Sequence, residues 1–335
     1  KYFAINNSLA SFYTDFHSSH FIFKLFEFIP NFFLSKRLKR ISKRKLPGEI
    51  PIDLVKDNLF NIFSRSELDV CKEIFNRVNY DNFGNANAIY TNLINEDIEF
   101  LLEAKKKGLY IIHEVIINPN INQIYEEEIR KYPSLEEKKK EIVQTLNKVD
   151  RDLLKLTLSD KILVPSEYIF KEVIKKGIDE NKINIVKQSI SNKKLLEIKT
   201  NPKKGRILFV GQISIMKGIH YFAEACRILQ KRRIIYEFLA VGECSINIEN
   251  PLLKGPKYLG HLSFEELIKV YSFSDIFVLP SLSDAFPVSH LEAMALGLPV
   301  ILTNTCGNMI DDGESGFIIN SRDSNKLADK IEEIV

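Results

Sequence analysis

Two carboxylates and one ammonium carry the chemistry available to this chain. Asp284 and Glu292 bracket the run D-A-F-P-V-S-H-L-E, and Lys217 follows Gly211 in G-Q-I-S-I-M-K-G. Between the two acids a helix is expected to open at Val288. Its first backbone N–H groups, at Val288 and Ser289, form an anion site of the kind that attracts a phosphate. Carboxylates accept hydrogen bonds from sugar hydroxyls. An anion-binding helix end flanked by acids therefore suits a ligand with phosphate in its middle and hydroxyl-rich groups on either side.

The surrounding elements place these residues. Ile276 to Leu279 is an apolar run ended by Pro280, which predicts a buried parallel strand. A loop carries Asp284. The helix from Val288 puts Leu291, Met294 and Ala295 at core spacing and ends at Gly297, and Leu298 to Thr303 is the next strand. In such a unit the helix N-terminus lies at the carboxyl edge of the sheet, where open α/β sheets bind ligands. R-I-L-F-V-G predicts a second buried strand ending in Gly211, whose missing side chain allows a ligand close to the backbone. Gly218 starts a helix with Ile219, Phe222, Ala223, Cys226 and Leu229 on one apolar face. Lys217 stands at the mouth of that sheet.

The stretch P-S, D-A-F-P and L-E-A-M-A-L-G-L-P-V resembles the E-x7-E region of retaining glycosyltransferase family 4. The resemblance implies the GT-B fold: α/β, with two Rossmann-like domains facing across a cleft. It is carried also by G…K-G at Gly211 to Gly218, by Tyr258-Leu259-Gly260-His261, and by S-D-K-I-L-V-P-S, similar to the family's A-D-x-I-x-x-P-S. By this resemblance residues 1–190 form the acceptor-side domain, 191–205 the linker, and 206–335 the nucleotide-sugar-binding domain. The implied donor is a nucleotide-diphosphate sugar. The implied acceptor is a glycan, a lipid-linked glycan or a small molecule, as in cell-surface polysaccharide biosynthesis. No metal and no other cofactor is implied. Lys217 and Asp284 become the catalytic pair, Lys217 on the diphosphate and Asp284 on the donor sugar. Gly211, Gln212, Phe286, Val288, Ser289 and Glu292 complete the donor site, Glu292 on the ribose. The sequence departs from the family at three places. Asp284 stands where Glu is usual, Gln212 where Arg is frequent, and Gly307 to Gly313 is a shorter interval. These departures keep a second reading open, a nucleotide-sugar-binding or partner subunit without turnover. A hydrolysing sugar-nucleotide epimerase on the same fold is a more distant third.

Two further stretches have two readings each. Residues 21–45 join Phe21, Phe23, Phe26, Phe28, Phe32 and Phe33 to the basic run K-R-L-K-R-I-S-K-R-K. This fits peripheral contact with an anionic membrane, at about 1 kcal/mol per basic residue. It fits equally a helix burying its phenylalanines ahead of a solvated basic link. His113 is expected at the carboxyl end of a strand, either as an acceptor-side cleft residue or as an ordinary strand-end polar group.

The remaining features exclude more than they assign. The chain has 335 residues, 45% hydrophobic and 27% charged, enough for two domains. A net charge of +3 with no recognised module gives no case for nucleic acid. Cys71, Cys226, Cys244 and Cys306 form no C-x-x-C pair, which predicts reduced cysteines in a cytoplasmic protein. Asp15, His17 and His20 lack the further ligands zinc needs. The acidic runs of residues 121–157 read as a solvated helix face. The chain begins without Met and stops within a helical pattern at Asp323–Val335, which predicts a piece of a longer protein.

Overall fold

Six parallel strands form the sheet that carries the candidate site, in the order β12-β11-β10-β7-β8-β9. The strands are β7 (Arg206–Val210), β8 (Glu237–Val241), β9 (Lys257–Gly260), β10 (Ile276–Leu279), β11 (Val300–Thr303) and β12 (Gly316–Ile319). The structure is a computed structural model. It describes residues 12–14, 55–57, 83, 86–91, 98–135, 148–190 and 193–335, with backbone alone for 12–14, 55–57, 148–150 and 193–194. Residues 15–20, 21–45 and 136–140, on which the histidine-pair, membrane and second acidic-run readings rest, lie outside the described residues.

The strand order explains where a ligand belongs. The chain runs outward from β7 through β8 and β9 on one side, and through β10, β11 and β12 on the other. Order therefore reverses between β7 and β10, and the crevice at their carboxyl ends is the topological switch point of an open α/β sheet. Lys217 follows β7 and Asp284 follows β10. All four residues of β10 and all four of β11 are buried, as strands covered on both faces require.

Helices cover the sheet as their sequence spacing dictates. In α5 (Ile219–Lys231), Ile219, Phe222, Ala223, Cys226 and Leu229 are all buried. Gly218 takes the left-handed conformation at the start of this helix (φ 70°), and a side chain there would strike the Pro280 carbonyl. In α6 (Phe264–Ser272), Ser263 and Glu266 form a capping box. In α7 (Val288–Ala295), the fully buried residues are His290 and Ala293, while Met294 and Ala295 pack partly against the core. The expected core position Leu291 is only half-buried. Gly297 has φ 76° just beyond the helix end. Helix α8 (Ser324–Ile334) packs Leu327, Ala328 and Ile331 into the same core.

By contact the chain divides into two compact units, one of Lys1–His113 with Thr157–Asp160, the other of Glu114–Leu156 with Lys161–Val335. The first holds the parallel pair β1 (Phe12–Thr14) and β2 (Val55–Asp57). It also holds β3 (Ala88–Thr91), parallel to the strand β4 (Tyr110–Glu114) that ends it. Its helix α1 (Ile98–Lys106) packs Phe100, Leu101 and Ala104 against Leu109 and Ile111. The second unit adds to the large sheet the helix α2 (Ile121–Lys131), the parallel pair β5 (Lys161–Val164) and β6 (Ile183–Ile185), and the helix α4 (Glu167–Ile174). Helix α3 (Lys148–Leu158) spans the division between units. Leu195, in the polar stretch before β7, is buried in the core of the large sheet.

Candidate functional site

Lys217 and Asp284 meet. The ammonium Nζ donates to the carboxylate Oδ2, with the lysine side chain 28% exposed and the aspartate 10%. The loops that carry them are also tied through their backbones, since Leu282 N–H donates to the Met216 carbonyl at 2.9 Å. From β11 and the turn after it, Thr303 and Thr305 hydroxyls both donate to the Ser281 carbonyl, at 2.6 and 2.8 Å. The Asp284 main chain is fixed on both sides: its N–H donates to Thr305 O at 3.0 Å, and its carbonyl accepts from Gly307 N–H at 3.0 Å. The carboxylate is thus presented from a rigid backbone to a partly open lysine.

Helix α7 opens at Pro287, and among the described residues no side chain caps it. Its first N–H groups remain available to an anion. Val288 is exposed, Ser289 half-buried and Phe286 buried. His290 is fully buried beside the Phe286 ring, at 5.2 Å between centroids, and its Nδ1–H donates to the Pro287 carbonyl. That bond fixes the tautomer and leaves Nε2 an acceptor with no partner among the described residues. Burial holds the His290 imidazole below its ordinary value, although the Pro287 carbonyl and the Asp284 charge oppose this. Glu292 accepts from the Tyr271 hydroxyl of α6 at 3.0 Å, and the same hydroxyl lies 3.0 Å from the Ser289 carbonyl. Burial raises the Glu292 carboxyl above its ordinary value, and the Tyr271 hydrogen bond works against that rise.

Gly211 and Gly242 follow neighbouring strands of the large sheet. A side chain on Gly211 would meet only ordinary contacts, the nearest at 3.6 Å to Leu279. The close approach is at Gly242, after β8, where a side chain would collide with the Gly211 carbonyl. Gln212 is exposed. His113 lies buried near the end of β4, in the first unit. Among the described residues no group of three or more His, Cys, Asp and Glu side chains is placed to hold a metal. Among them, too, no helix is long and apolar enough to cross a membrane.

Sequence reasoning missed two polar clusters. The first overturns part of the solvated acidic face: Glu128 of α2 is fully buried, while its neighbours Glu126 and Glu127 are not. It accepts from Tyr221 Oη at 2.6 Å, Arg322 Nε at 2.7 Å and His220 Nε2 at 2.9 Å. Burial pushes this carboxyl up, but the three donors together outweigh it and hold it at about 2. Burial likewise holds His220 below its ordinary value, although Glu128 opposes this. Ile124, Glu128 and Tyr132 recur at helical spacing, and Ile124 and Tyr132 pack on the core. That stripe was the available signal. The second cluster joins Asn118 and Tyr168 to Ser283, and Ser166 to Ala285, on either side of Asp284. Of its members only Ser166 lies in a stretch with a sequence signal, the P-S that closes S-D-K-I-L-V-P-S.

The parallel α/β sheets have counterparts among solved structures. The fold is that of GT-B glycosyltransferases. The chain aligns with Anabaena Alr3699/HepE in complex with UDP-glucose at TM-score 0.58 and 15% identity, over 84% of this chain and 82% of that one. Residues 204–335 match the family model for glycosyl transferases group 1, so this stretch is a domain of that kind. In sequence the chain is similar to an uncharacterized 41.2 kDa protein in the cps region of Klebsiella pneumoniae, with 28% identity over 54% of this chain and 53% of that protein. It is also similar to the amylovoran biosynthesis glycosyltransferase AmsK of Erwinia amylovora, with 29% identity over 53% of this chain and 48% of that protein. The aligned stretches span about half the length of these relatives.

Proposed function

We propose that the chain is a retaining glycosyltransferase that moves a sugar from a nucleoside-diphosphate donor to a glycan, lipid-linked or small-molecule acceptor in cell-surface polysaccharide synthesis. The observation that carries this reading is the Lys217–Asp284 pair at the switch point of the sheet. Departure of a nucleoside diphosphate builds negative charge on the phosphates and positive charge on the sugar, and the site must answer both. Lys217 takes the diphosphate. The amides of Val288 and Ser289 add to it, a helix end contributing about 0.3–1 kcal/mol when exposed and up to about 2 when partly buried. A lysine about 4 Å from a phosphate contributes roughly 4 kcal/mol at an effective dielectric of 20, so Lys217 is the dominant group. Asp284 orients the donor sugar, and Glu292 accepts from the ribose hydroxyls with its second oxygen. The UDP-glucose held by the HepE neighbour supports a donor of this class.

One observation favours the alternative of a binding subunit without turnover: Lys217 and Asp284 are spent on each other, with Asp284 one methylene shorter than the usual Glu. Release of nucleoside diphosphate from a panel of UDP-, GDP- and ADP-sugars separates the two. Turnover of one donor, lost in Lys217→Ala and Asp284→Ala, supports the transferase. A donor that binds without turnover under any acceptor supports the subunit reading, and no binding of any nucleotide sugar contradicts both.

A further inference from the structure

We propose that Tyr168, Asn118 and Ser166 are positioning residues for Asp284, holding its two chain neighbours so that the carboxylate is fixed against Lys217. This rests on the donor reading given above for Asp284. The bonds come from segments far away in sequence. Tyr168 Oη donates to Ser283 Oγ at 3.0 Å, and Asn118 Nδ2 donates to the same oxygen at 3.0 Å and to Tyr168 Oη at 2.6 Å. On the other side of the acid, Ser166 Oγ donates to the Ala285 carbonyl at 2.9 Å while accepting from Ile169 N–H at 3.3 Å as the cap of α4. Asn118, Ser166 and Ser283 are almost wholly buried.

The arrangement does more than fill space. Ala285 packs in the small core of β5, β6 and α4, away from the large sheet's core, so the acid's loop is gripped by two cores at once. A side chain on Gly307 would strike both Ser166 and the Ala285 carbonyl, so the loop has no room to slide. Burial keeps the Tyr168 phenol above its ordinary value, which preserves it as a donor. The bonds that these three residues make to the acid's loop fall on Ser283 and Ala285 and none on the Asp284 carboxylate, which leaves that group to Lys217 and the sugar. The expected signature is therefore a loss of sugar recognition without a loss of diphosphate binding.

UDP and UDP-glucose are the probes, with affinities measured by calorimetry on the full chain carrying Tyr168→Phe, and with Ser283→Ala as a second variant should the first fold poorly. The preference for UDP-glucose over UDP is expected to fall about fivefold to tenfold, while UDP affinity stays within about twofold. Equal weakening of both ligands, or no change in either, overturns the proposal. The ligand-free protein gives an independent readout, the side-chain ammonium signal of Lys217 in ¹⁵N-lysine spectra, assigned by its absence in Lys217→Ala. If the wild type binds neither of these, the GDP and ADP pairs take their place; binding of none of the three means the donor reading has failed, and this signal then decides alone. Loss or broadening in Tyr168→Phe supports positioning of the Lys217–Asp284 pair, and an unchanged signal contradicts it.

Discussion

The second unit holds two acid–base clusters that begin from similar residues and end in opposite states. Around Glu128 a carboxylate is fully buried and met by three donors, from His220, Tyr221 and Arg322. Around Asp284 a carboxylate meets a lysine that keeps a quarter of its side chain in solvent. The two are close in sequence, because His220 follows Lys217 by three positions at the start of α5. A buried charge without partners costs several kcal/mol, so a saturated cluster is a structural element, closed to ligands. A pair with open surface and spare donors has the opposite character: its partner can be exchanged for another anion. Saturation and exposure, more than residue type, separate scaffold from site.

That comparison breaks most visibly at Glu128. Glu128→Ala leaves His220, Tyr221 and Arg322 around an empty centre, and a loss of about 3–5 kcal/mol of stability is expected. At roughly 2–4 °C per kcal/mol, calorimetric unfolding should show a drop in Tm of about 6–20 °C. The pH dependence follows from the same group. A carboxyl held at about 2 in the folded state, against 4.5 ordinarily, adds stability that is full above pH 4.5 and is lost as pH falls toward 2. Urea unfolding midpoints across that window should fall more steeply in the wild type than in Glu128→Gln.

Lys217→Ala tests the other cluster and should do the reverse. Nucleoside diphosphate affinity is expected to fall about a hundredfold to a thousandfold, from a charge interaction of roughly 4 kcal/mol reduced by solvent screening. Tm should fall by less than in Glu128→Ala, since the pair is only partly buried and water can reach Asp284 in place of the lysine. A large stability loss with unchanged nucleotide binding would reverse the two assignments. Glu292→Gln sharpens the site further. Calorimetry should show UDP weakened by about tenfold to a hundredfold, the range for hydrogen bonds to a charged group. The smallest effect is expected from Asp284→Glu, which adds one methylene and should shift sugar preference among UDP-sugars by less than about tenfold, read as relative kcat/KM.

The placement of Lys217 and Asp284 was legible in the sequence because the elements around them have an ordered local pattern. Ile276–Leu279 is a wholly apolar run and is a buried strand, and Lys217 and Asp284 stand in the loops after neighbouring strands. Boundaries failed where apolar residues lie outside the sheet. Ile235, an apolar residue just ahead of β8, is 90% exposed, and the strand begins at Glu237, whose carboxylate pairs with Arg206. The supporting cluster of Asn118, Tyr168 and Ser283 was illegible for a different reason. Its partners are brought together only by the tertiary fold, and none has a local pattern of its own. Glu128 hid in an acidic run whose other members face solvent, and only its spacing from Ile124 and Tyr132 distinguished it.

A crystal structure of the chain with bound UDP tests the central claim most directly. The account predicts the β-phosphate within hydrogen-bonding distance of Lys217 Nζ and of the amides of Val288 and Ser289, with the ribose on Glu292 and the Lys217–Asp284 contact opened. UDP bound elsewhere, or bound here with Lys217 still on Asp284 and turned from the phosphates, would contradict it.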